Sequence, residues 1–138
     1  MRVADRSVST LWLAVAVLAV VILVASVIPV PAATPQTDPT GSVDTTTLLH
    51  IAGYATLAAA GVIAVAREGW PGRRRPHRVE ISAVAGVVTL VALFGVATEV
   101  LQGFIPWRTF AVAEVGLNAA SAAVGGLLAT MWFYRPVE

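Results

Sequence analysis

His50, Glu99, Arg108 and Glu114 are the residues of this chain whose types suit chemistry and whose setting makes them unusual. Each falls inside, or in a short turn between, long apolar stretches. An imidazole and two carboxylates can transfer protons. A guanidinium presents a planar fork that matches two oxygens of a phosphate or carboxylate. Tyr54, Gln102 and Asn118 add hydrogen-bonding capacity next to them. The spacings pair these groups: His50 with Tyr54 and Glu114 with Asn118 at four residues, and Glu99 with Gln102 at three. In a helix each pair shares one face.

Four apolar stretches must carry them. They run from Leu11 to Val30, Thr47 to Ala66, Ile81 to Gln102 and Val112 to Phe133. Each has about the 20 residues needed to cross a hydrocarbon core. Lipid offers the backbone no hydrogen-bond partner, so each is expected to be helical. The alternating ten-residue pattern of a membrane barrel is absent. The expected fold is all-α: a single domain over residues 1–138, built as a bundle of four transmembrane helices. With a rise of ~1.5 Å per residue, His50 and Glu99 would lie about 5 Å inside their helix ends. Tyr54 and Asn118 would lie roughly 10 Å inside. A charge facing lipid costs at least ~2.5 kcal/mol, so the polar faces of the second, third and fourth helices should turn inward as one cluster. The first helix contributes only Ser26 as a polar group and reads as packing and anchor.

Composition agrees with a membrane protein. The chain is 57% hydrophobic and 12% charged, against about a quarter charged in ordinary globular domains. With no cysteine, disulfides, thiolate metal sites, iron–sulfur clusters and thiol nucleophiles are excluded. No phosphate-cradling glycine loop and no Ser-His-Asp order is present, so no cofactor is expected. Nothing in the basic residues forms a nucleic-acid surface.

The arginines set an orientation. Arg2 and Arg6 precede the first span, Arg67, Arg73, Arg74, Arg75 and Arg78 lie between the second and third, and Arg135 follows the fourth. The loop from Ala32 to Thr46 holds Asp38 and Asp44 and no basic residue. By the positive-inside rule both termini are cytoplasmic in a multi-pass cell-membrane protein, with only Arg108 opposite. The candidate residues then sit at the extracytoplasmic end. Trp12, Trp132, Phe133 and Tyr134 fall at the cytoplasmic interface, and Phe104, Trp107 and Phe110 at the outer one. A cleavable signal peptide is the rival reading of the first span. The apolar run is longer than a usual signal core, which favours retention as a helix. The arginine loop reads as a topology determinant, with anionic headgroup binding as its rival.

His50-x3-Tyr54, then Glu99-x2-Gln102-x3-Pro106-x-Arg108, then Glu114-x3-Asn118 and Gly125 resembles the VanZ-like family, over roughly Thr46 to Leu128. The family carries an Asp-Lys pair where this chain has Thr46 and Thr47, and Asp44 is two residues out of frame. Its acidic position is usually Asp where Glu114 stands, and it often has Gly at the place of Ser121. The resemblance implies a small multi-pass membrane protein. The family is named for a member linked to resistance to the glycopeptide teicoplanin, and the name supplies no reaction.

Several roles stay open for the set. Buried Arg108–Glu and His50–Glu pairs, with Gln102 and Asn118 satisfying the rest, would hold the helices in register at ~0.6 kcal/mol per contact. Alternatively Arg108, Glu114, Asn118, Gln102 and Tyr54 would bind an anionic lipid headgroup or lipid-linked precursor at the outer leaflet. In a catalytic version His50 or Glu99 transfers the proton and Arg108 is the clamp. A metal on His50, Glu99 and Glu114 is chemically possible, but no local ligand spacing such as His-Glu-x-x-His supports one, so none is expected. Four short spans without broken helices leave little room for a transport pathway.

Overall fold

The computed structural model describes residues 9–29, 45–72 and 80–133. Among these are four helices: α1 (Thr10–Val27), α2 (Thr45–Glu68), α3 (Ile81–Gln102) and α4 (Val112–Phe133). Each is long and apolar enough to cross a membrane. Spans three and four end where hydropathy places them. The first is shorter than expected, because Ile28 is extended (ψ 148°) ahead of Pro29. A proline disfavours helical geometry in the residue before it. The second is longer, taking in Thr45, Thr46, Arg67 and Glu68. Its stop is Gly69, at φ 78°, whose N–H returns to the carbonyl of Val65. Arg2, Arg6, the arginines at 73, 74, 75 and 78, Arg135, Tyr134, Asp38 and Asp44 lie outside the described residues.

Successive helices run antiparallel, since the start of α1 meets the end of α2 while the start of α2 meets the end of α3 and the start of α4. Helix α2 is the centre and touches all three others, and its most extensive contact is with α4. Lipid gives apolar side chains no reason to leave it, so small residues and close backbones drive this packing. Gly125 shows how tightly. A Cβ added there would lie 2.7 Å from the Ala55 Cα and would overlap the Ala55 carbonyl. Tyr54, Leu57, Ala58, Val62, Val65, Val87, Val91 and Ala122 make the core.

Helix α1 is peripheral. Ser26 is its only buried residue, while Leu13, Val17, Val20 and Val24 face outward. It is fastened mainly at its two ends. At its start, the Ser9 hydroxyl and the Leu11 N–H donate to the Glu68 carboxylate. Trp12 Nε1 donates to the Gly69 carbonyl at 2.8 Å and its ring stacks on Trp70, with centroids 5.6 Å apart.

Candidate functional site

The other end of the bundle holds every candidate residue. The structure divides them into two groups.

One group fastens α1. A helix leaves its last four carbonyls without partners inside the helix. Here all four are met: that of Val24 by the Ile28 N–H, Ala25 by Arg108 Nη2 (3.3 Å), Ser26 by Gln102 Nε2 (3.0 Å) and Val27 by Trp107 Nε1 (3.1 Å). Arg108 Nη2 also donates to the Ile28 carbonyl at 2.9 Å. A cation at a helix C-terminus also opposes the negative end of its dipole. The expected Arg108–Glu pair is therefore corrected: among the described residues no carboxylate lies within 4.0 Å of the guanidinium. The physical reason is local. The turn at residues 103–111 points Arg108 at a ready row of carbonyls. Helix α1 is thus part of this end through its backbone, which a search for polar side chains does not detect.

The second group converges on His50. Its Nδ1 is 3.2 Å from Glu114 Oε2 and 3.8 Å from Glu99 Oε1. Glu99 and Asn118 are both 0% exposed and His50 is 6% exposed. Asn118 stands alongside the Glu99 carboxyl. Even so, neither Glu99 oxygen and neither polar atom of Asn118 has a hydrogen-bond partner of normal geometry. Asn118 is thus placed beside Glu99, as expected, without a hydrogen bond of normal geometry to it. Gly95 makes room here, since a Cβ on it would press to 3.0 Å on Asn118 Cβ and 3.3 Å on Tyr54 Cε1.

Tyr54 supports this site from below. Its ring meets His50 edge-on at 6.0 Å. Its hydroxyl donates to Thr98 Oγ1, which donates in turn to the Gly95 carbonyl at 2.8 Å. That chain uses each hydroxyl proton once. Thr98 is the residue the sequence reading passed over. Its place next to Glu99, in a helix where a threonine can bond a carbonyl one turn back, is the signal that could have found it.

A groove of ≈ 370 Å³ runs between α1 and α2 beside these groups. Leu18, Ile22 and Gly53 line its apolar length, and Thr46, His50 and Arg108 its polar end. His50 thus belongs to both the groove and the carboxylate cluster. A second, smaller groove of ≈ 200 Å³, near Trp12, Leu57 and Phe94, has no ionisable residue in its wall.

Comparison with protein-family models, with curated proteins and with solved structures finds no match to this chain.

Proposed function

We propose that this is a VanZ-like membrane protein that binds an amphiphile with an anionic headgroup, either a membrane lipid or a lipid-linked envelope precursor. The groove between α1 and α2 is the observation that carries this reading. Its volume falls within the ~300–1,000 Å³ of ordinary small-ligand sites, and an apolar channel ending at one cation suits a hydrocarbon chain with a charged head. Arg108 Nη2 is occupied by carbonyls, but Nε is buried without a partner. The arginine pattern favours an orientation with this end extracytoplasmic and both termini in the cytoplasm. Phe104 and Trp107 are exposed there, at headgroup depth on this orientation.

The capping of α1 by Arg108 favours a second reading, in which the polar end only assembles the bundle. Lipid co-purifying with the full chain, identified by mass spectrometry, separates the two. Gly53→Leu fills the groove between Ile22 and α2, and should remove an anionic lipid that the wild type retains. If Gly53→Leu and Arg108→Ala both leave the lipid complement unchanged, the binding reading fails. Alkaline phosphatase inserted within residues 30–44 should be active, and fused to the C-terminus silent. The opposite pattern inverts the orientation.

A further inference from the structure

The unsatisfied carboxylate of Glu99 leads to a different ligand. We propose that His50, Glu99 and Glu114 form a site for one divalent first-row transition-metal ion, with Asn118 as a supporting group. This does not depend on the lipid reading.

The three residues come from three helices, and one ligand atom of each lies within 4.8 Å of the other two. Two ligands bound ~2.0–2.2 Å from a tetrahedral metal are roughly 3.4 Å apart. The His50–Glu114 separation of 3.2 Å already fits, and the His50–Glu99 separation of 3.8 Å is within a few tenths of it. The sequence has no local ligand motif because the site is assembled from distant positions on converging helices, as bundle metal sites are.

Charge and burial point the same way. Two ionised carboxylates with one imidazole carry a net charge of −2, or −1 when the imidazole is protonated. Leaving buried charge uncompensated is costly at a membrane-embedded position. A divalent cation supplies the missing positive charge. Glu99 is 0% exposed and neither of its oxygens has a hydrogen bond of normal geometry, which leaves them open to coordinate an ion in the cluster. Asn118, equally buried and without a hydrogen bond of normal geometry, stands where its amide can orient a coordinated Glu99. Such outer groups commonly fix a ligand's position. One imidazole nitrogen with carboxylates suits Zn²⁺ or Mn²⁺ better than Mg²⁺ or Ca²⁺, which prefer all-oxygen sites.

The test uses the full chain in detergent, stripped with chelator and titrated with Zn²⁺. Heat of binding and the thermal unfolding midpoint are read together. The wild type should bind one Zn²⁺ per chain and unfold at a higher temperature with it. Glu99→Gln preserves shape and removes the charged ligand, and should weaken binding at least about 100-fold while circular dichroism stays helical. Co²⁺ gives a second readout, a visible ligand-field band present in the wild type and lost in the variant. A wild type that shows no Zn²⁺ response overturns the proposal. So does a response or a Co²⁺ band that survives Glu99→Gln.

Discussion

The two ends of the bundle each bury part of a glutamate, and they treat it in opposite ways. Glu68, at the end of α2, accepts from the Ser9 hydroxyl and the Leu11 N–H and so anchors the start of α1. Its carboxylate also lies against the positive end of the α1 dipole. Glu99, at the end of α3, is more deeply buried, yet it lies among a histidine, a second carboxylate and an asparagine with no hydrogen bond of normal geometry. Satisfied groups hold a structure together, whereas an unsatisfied buried group usually has another purpose. The contrast assigns assembly to Glu68, Trp12, Gln102 and Trp107, and to Arg108 through its Nη2, which leaves Nε for a headgroup. It assigns ligand chemistry to His50, Glu99, Glu114 and Asn118.

The largest effect expected lies between the ends. Gly125→Ala would drive a methyl into the Ala55 backbone and separate α2 from α4. That separation also pulls His50 from Glu114. Overpacking of this kind should cost roughly 3 kcal/mol, read as a lowered unfolding midpoint in detergent. A neutral result would mean that the ends do not depend on this contact.

Arg108→Ala comes next. It releases the Ala25 and Ile28 carbonyls, and should cost about 1–3 kcal/mol. Protease sensitivity should rise near residues 25–29, with the α2–α4 core still folded. If stability is unchanged and only ligand binding falls, Arg108 belongs with the second group and the division moves.

Trp12→Phe is the smallest. The ring and its stacking on Trp70 are kept, and only the Nε1 bond to Gly69 is lost. About 1 kcal/mol is expected from the unfolding midpoint. A change confined to this end, with Zn²⁺ affinity untouched, would sharpen the division between the two ends.

Much of the fold was legible in hydropathy. The bounds of α3 and α4 follow from where apolar runs stop, and the helical spacings put His50, Glu99, Glu114 and Asn118 on facing sides. The Arg108–Glu pair is not formed because Arg108 Nη2 meets backbone carbonyls of α1, which a sequence does not display as polar. Thr98 was missed because its value lies in a relay from Tyr54. Hydropathy alone leaves Glu68 in the loop, since Gly69 stops α2 through its conformation and not through hydropathy. Of the metal arrangement only the residue set His50, Glu99 and Glu114 was legible, because their convergence needs the crossing geometry of three helices.

The most direct measurement compares Glu68→Gln with Glu99→Gln, both metal-free and in the same detergent. Glu68→Gln weakens two charge-assisted hydrogen bonds and should lose about 1–2 kcal/mol of stability. Glu99→Gln removes a buried charge and leaves the His50–Glu114 contact in place. It should be neutral or stabilising by about 1 kcal/mol, and should lose Zn²⁺ binding. Opposite behaviour of the two variants is the predicted result. Equal losses of stability, with no Zn²⁺ bound by the wild type, would contradict the division of these side chains into a set that holds the bundle and a set that binds.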